Sequence, residues 1–93
     1  MTESRLPLEA RKKRLLFRAR HRGVKEADIL IGGFVAREID GWGHGEIAWF
    51  EHLLEETDRD ILAWVTKSAP VPPVYDTPIM KAMQRLDYLM ARG

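Results

Sequence analysis

Cysteine is absent from the 93 residues, which excludes a disulfide framework and a thiolate metal site and leaves the fold to a hydrophobic core. Long apolar runs are also missing. The longest, glycines included, is Ile29 to Ala36, far short of the roughly 20 residues that span a bilayer, and the N-terminus has no apolar secretory region. These features predict a soluble, unsecreted chain with no membrane insertion. Serine occurs only at Ser4 and Ser68, neither in the setting of an activated nucleophile, which argues against hydrolase chemistry. His21, His44 and His52 show no chelating spacing, so no metal site is expected and no catalytic residue is assigned. The glycines of Gly41-Trp42-Gly43-His44-Gly45 follow no strand pattern and lack the lysine and hydroxyl of a phosphate loop, which leaves a flexible turn.

Charge is plentiful but segregated. Residues 1–25 hold nine Lys/Arg against two Asp/Glu, and residues 26–76 hold three against eleven, although the net charge is only +1. Two readings stand side by side: a bipolar surface that orients an encounter with a macromolecule, and helix faces of opposite sign that attract each other within the chain. The basic segment could also bind phosphates, so a small nucleic-acid-binding module is an alternative. No base-reading Asn or Gln accompanies the basic residues, however, and no aromatics are interleaved as a stacking platform.

The length suits one compact domain over residues 1–93, with residues 1–7 a flexible N-terminal segment. Helical spacing recurs five times. Leu8, Leu15, Leu16 and Ala19 define a first helix to about His21, with Lys12 snorkelling from the apolar arc and Phe17 projecting away from it. A second runs from about Val24 to Ile39 with Ala27, Leu30, Ile31, Phe34 and Val35 inward and Gly32 and Gly33 on the opposite side, where they either weaken the helix or admit a close neighbour. A third, without a strong cap, turns Ile47, Phe50, Leu53 and Leu54 inward. Thr57 or Asp58 caps a fourth, with Ile61, Leu62 and Val65 buried, which stops before Pro70. Ala69 to Val74 crosses the surface as an extended connector. Thr77-Pro78 opens a fifth helix carrying Ile79, Met83, Leu86 and Met90. No strand pattern appears, so the fold class is all-α, a small five-helix bundle. Trp49 and Trp64 suit a core, whereas Trp42, on the loop, is a candidate for a partner surface.

Between the first two helices lies His21-Arg22-Gly23-Val24-Lys25-Glu26. Gly23 reads as a left-handed C-cap, with Arg22 and Glu26 on either side of a tight corner. Glu26 is explained equally by a docking role and by a first-turn acid that reaches back to free N–H groups, with Arg22 as its ion-pair partner.

The stretch Arg22-Gly23-Val24-Lys25-Glu26 resembles the R-G-x-x-E signature of the SdhE family, the succinate dehydrogenase assembly factors also called FAD assembly factors or flavinators. The likeness extends to Arg11-Lys12-Lys13-Arg14-Leu15-Leu16-Phe17-Arg18 before it, and to Glu26-Ala27-Asp28. It continues through Trp49-Phe50-Glu51-His52-Leu53-Leu54-Glu55 and Asp58-Arg59-Asp60-Ile61-Leu62-Ala63-Trp64, covering about Leu8 to Met90. Gly43-His44-Gly45 and the length of the proline connector depart from the family pattern. The resemblance implies a five-helix assembly chaperone, not an enzyme, that binds the flavoprotein subunit of succinate dehydrogenase, or of fumarate reductase, and promotes covalent attachment of FAD to it. It implies a monomer that holds no permanent cofactor, acts on FAD in the partner, binds no nucleic acid, and resides in the bacterial cytoplasm or the mitochondrial matrix. An antitoxin-like partnership with a membrane protein is a further role proposed for the family. The site residues it implies are Arg22, Gly23 and Glu26, flanked by Lys25 and Asp28, all facing the partner.

Overall fold

Pro7 opens the first helix, its φ of −58° and ψ of 147° leading the chain into α1, Leu8–Arg20. The computed structural model describes residues 7–89, so the expected flexible segment, apart from Pro7, and Met90 lie outside the described residues. Leu15 and Ala19 are fully buried, and Leu8 and Leu16 pack against the core. Lys12 snorkels as its position demands, its amine reaching the Asp40 carbonyl at 3.0 Å. Phe17 projects into solvent, 63% exposed, and stacks on His21 with ring centroids 4.0 Å apart.

The second helix, α2, is not the regular rod that the spacing predicts. Its α-helical segments Lys25–Ala27 and Gly33–Glu38 flank a π-helical turn, Asp28–Gly32, and it closes in a 3-10 turn, Ile39–Gly41. An inserted π turn rotates everything after it relative to an unbroken 3.6-residue helix. Gly32 is therefore buried, where constant pitch would place it opposite the core. A Cβ there would sit 2.9 Å from Arg20 Cγ and 3.0 Å from the Ala19 carbonyl oxygen. Close approach, rather than helix weakening, explains this glycine. The Tyr88 hydroxyl donates to the Leu30 carbonyl inside the turn at 2.9 Å, and its ring meets Phe34 edge-on at 5.3 Å.

Helix α3, His44–Leu53, buries Ile47, Phe50 and Leu53. Its start is better capped than the sequence suggests: the Glu46 carboxylate accepts the Gly43 N–H at 2.9 Å. That is the glutamate half of a capping box, glycine having no side chain for the other half. The bond holds the Glu46 carboxyl below its usual range. Helix α4, Asp58–Val65, starts with Thr57 Oγ1 accepting the Asp60 N–H at 3.1 Å and buries Ile61, Trp64 and Val65. It ends ahead of Pro70, as expected.

The proline segment does more than cross the surface. It turns through a 3-10 element, Pro73–Tyr75, that drives Tyr75 into the core at 2% exposure. Helix α5, Pro78–Gln84, opens on Thr77 but stops earlier than the spacing predicts. Leu86 takes the left-handed region at φ 56°, and a 3-10 turn, Asp87–Leu89, follows. Met80 and Met83 are its buried residues, with Ile79 and Leu86 packed at the edge.

These five helices surround one core in which no polar or charged residue is buried among the described residues. Phe34, Trp42, Phe50, Trp49, Tyr75 and Trp64 form a continuous aromatic chain with centroid spacings of 5.4 to 6.2 Å. Trp42, read as a partner-surface candidate, is half-buried and packs against Phe34 and Phe50. The segregated charge also finds its use within the fold: Arg11 pairs with Glu51 at 2.9 Å and Arg18 with Glu55 at 3.1 Å, tying α1 to α3 and to the turn after it. Arg11 also donates to His44 Nδ1 at 2.7 Å. Such pairs each contribute about 0–1 kcal/mol, yet together they fix how α1 lies on α3.

Burial, the hydrogen bond to Glu56 and the nearby acids push the Tyr75 hydroxyl up to about 12. A folded value above the unfolded one means that the native state holds this proton more tightly. Its contribution is complete below about pH 10 and is lost as pH rises toward 12. The urea midpoint is therefore expected to fall between pH 10 and 12, and Tyr75→Phe should reduce that fall, leaving the part due to Tyr88, whose hydroxyl burial also pushes up to about 12.

Candidate functional site

The α1–α2 junction needs one residue that can turn left-handed. Helix α1 ends at Arg20, His21 leaves the helix at φ −124° and ψ 57°, and Gly23 takes φ 103° before Val24 returns to extended backbone. Gly23 thus has the positive φ predicted for it, but two residues beyond the cap position, so the corner is wider than a simple C-cap. Nothing lies within 4 Å of where a Cβ on Gly23 would sit. Backbone conformation, and not crowding within the chain, demands glycine there.

Arg22 is turned inward. Its Nε donates to Asp58 Oδ1 at 2.6 Å, Nη1 to the Leu54 carbonyl at 3.1 Å and Nη2 to the Glu56 carbonyl at 3.1 Å. The guanidinium therefore binds the turn that leaves α3 and the first residue of α4 together, and only 13% of the side chain is exposed. Its backbone N–H donates to Asp28 Oδ1 at 2.7 Å, which stitches the corner to the π turn. Two sequence expectations are corrected here. The ion-pair partner of Arg22 is Asp58, not Glu26, and the acid reaching back to a free N–H is Asp28, not Glu26. The physical reason is reach: Asp28, one turn into the helix, faces the corner, while Glu26 faces away.

Glu26 consequently enters no hydrogen bond or ion pair among the described residues, and Gly23, Val24, Lys25 and Glu26 form an exposed edge. The structure brings Arg22 and Asp28 together beneath that edge. Asp58, read from sequence only as a candidate helix cap, and the carbonyls of Leu54 and Glu56 belong to the same cluster. Carbonyl acceptors leave no trace in a sequence, but the first-turn acid of α4 was a signal that could have been paired with the corner. Among the described residues no group of three or more His, Asp or Glu side chains gathers to hold a metal ion.

A family described as the flavinator of succinate dehydrogenase matches residues 13–87, from α1 through the corner to the turn after α5. The chain belongs to this flavinator family. Relatives include succinate dehydrogenase assembly factor 2-B, mitochondrial, of Drosophila persimilis, 40% identical over 85% of this chain and 52% of that protein. Assembly factor 2-A, mitochondrial, of Drosophila mojavensis is 41% identical over 85% of this chain and 52% of its own length. Assembly factor 2-B of Drosophila melanogaster is 39% identical over 84% and 51%. The chain thus spans about half the length of the curated relatives it matches. These relatives carry the names of assembly factors and not of enzymes. No helix among the described residues is long and apolar enough to cross a membrane.

Proposed function

We propose that this flavinator-family chain is an assembly factor that docks on the flavoprotein subunit of succinate dehydrogenase, or of fumarate reductase, and promotes covalent attachment of FAD to it. The observation that carries the reading is the exposed edge Gly23 to Glu26, supported from within and lying inside the stretch matched by the family. Arg22, Gly23, Lys25, Glu26 and Asp28 make the docking corner. Glu26 offers the partner a carboxylate unengaged by any described residue, ready to accept charge-assisted hydrogen bonds, and Gly23 permits close backbone approach. Bond formation belongs to the flavin and the partner subunit, and the chain holds a reactive conformation without keeping a cofactor of its own. It works as a monomer, in the bacterial cytoplasm or the mitochondrial matrix.

The nucleic-acid alternative draws on the N-terminal cations, and it is weakened because Arg11, Arg18 and Arg22 are engaged with acids of α3, its following turn and α4. Capture from a lysate containing immature flavoprotein subunit tests the proposal. The tagged chain is expected to recover that subunit, and failure to recover it under those conditions contradicts the reading.

A further inference from the structure

Asp58 stands outside the docking stretch, 36 residues from Arg22 in sequence, yet it makes the shortest of the three bonds to that guanidinium. Both side chains are largely withdrawn from solvent, at 13% and 17% exposure. The three acceptors point in a fork: one carboxylate at the start of α4, and two carbonyls in the turn that leaves α3. A planar guanidinium with fixed donors matches such a set, and a lysine amine could not meet all three at once. Two carbonyls alone would carry no charge opposite a largely buried cation. Asp58 supplies it, and unpaired buried charge is strongly disfavoured.

Arg22 is therefore a poor candidate for direct contact, because its side-chain donors are directed at the chain's own acceptors. We infer that Asp58 is a positioning residue for the docking corner: through Arg22 it clamps the α3–α4 turn to the α1–α2 junction and so fixes the edge that carries Gly23 and Glu26. Asp28, holding the Arg22 N–H, fastens the same residue from the other side. Between these fastenings residues Gly23 to Glu26 are exposed, and nothing approaches a Cβ on Gly23 within 4 Å. The conformation of this edge depends on the clasp. The inference rests on the docking reading above and extends it from the exposed stretch to a residue of α4.

The test uses the full chain in Asp58→Ala, Asp58→Asn, Arg22→Ala and the double Ala variant, with Asp60→Ala as control for the loss of an acid in the first turn of α4. Amide hydrogen exchange of the free chain reads the corner, and titration against the flavoprotein subunit reads docking. Asp58→Ala and Arg22→Ala are each expected to speed exchange from Gly23 to Asp28 by about tenfold or more, the effect of losing a charge-assisted hydrogen bond. Exchange within Ile47 to Leu53 should stay unchanged. Both variants should weaken capture by similar factors, and the double variant should be no worse than Arg22→Ala. Asp58→Asn, which keeps the acceptor, should lose less than Asp58→Ala, and Asp60→Ala should leave the corner alone. Additive losses in the double variant, or corner exchange unaffected by Asp58→Ala, overturn the inference. Glu26→Ala separates the two levels. If Glu26→Ala weakens capture and Asp58→Ala does not, the positioning role fails and docking stands. If neither weakens capture, both fall.

Discussion

Gly32→Val is expected to destabilise the fold by about 3 kcal/mol, the cost of forcing extra volume between packed elements. A Cβ at this position would lie 2.9 Å from Arg20 Cγ, 3.0 Å from the Ala19 carbonyl oxygen and 3.1 Å from Arg20 Cα. Two of those three neighbours are backbone atoms at the end of α1, so no rotamer change relieves the contact, and valine adds two further carbons. Gly32→Ala should cost less, because alanine recovers about 1 kcal/mol of helix propensity. With a small domain holding only about 5–15 kcal/mol in total, the valine variant loses a large share. Urea titration should show a lower midpoint with an unchanged slope. An unchanged midpoint would mean that α1 and the π turn are not in close register.

Glu26→Lys is expected to do the opposite, leaving stability alone and removing function. The side chain is exposed and makes no bond among the described residues, so the thermal midpoint should stay within the small range of an ordinary surface substitution, about 0.5 kcal/mol. Reversing a charge that meets complementary donors in a complex costs far more, with truncation of a buried interfacial partner alone amounting to about 2–5 kcal/mol. Capture of the flavoprotein subunit should therefore weaken by about 100-fold or more. Wild-type affinity in this variant would remove Glu26 from the interface.

Much of the fold is legible in the chain itself. Ala19, Ile47, Phe50, Leu53 and Val65 sit inward where their spacing places them, and Thr57 and Thr77 cap the helices that they precede. What spacing cannot convey is a change of pitch. The π turn at Asp28–Gly32 moves Gly32 from the far side of α2 to a contact with α1. Left-handed Leu86 ends α5 although the apolar recurrence continues beyond it. Tyr75 fills the core from a stretch whose prolines mark only the absence of a helix. At the corner, the residues of the proposed docking stretch are visible but their division of labour is not. Arg22 and Glu26 look alike as charged neighbours of a glycine, and only the three inward acceptors of Arg22 tell them apart.

The most direct measurement is reconstitution: flavoprotein subunit free of flavin, incubated with FAD in the presence or absence of this chain, denatured, and read for covalent flavin by in-gel fluorescence. Fluorescence is predicted to accumulate faster with the wild-type chain than without it, and no faster with Glu26→Ala than without any chain. Equal accumulation with and without the wild-type chain would contradict a role in FAD attachment.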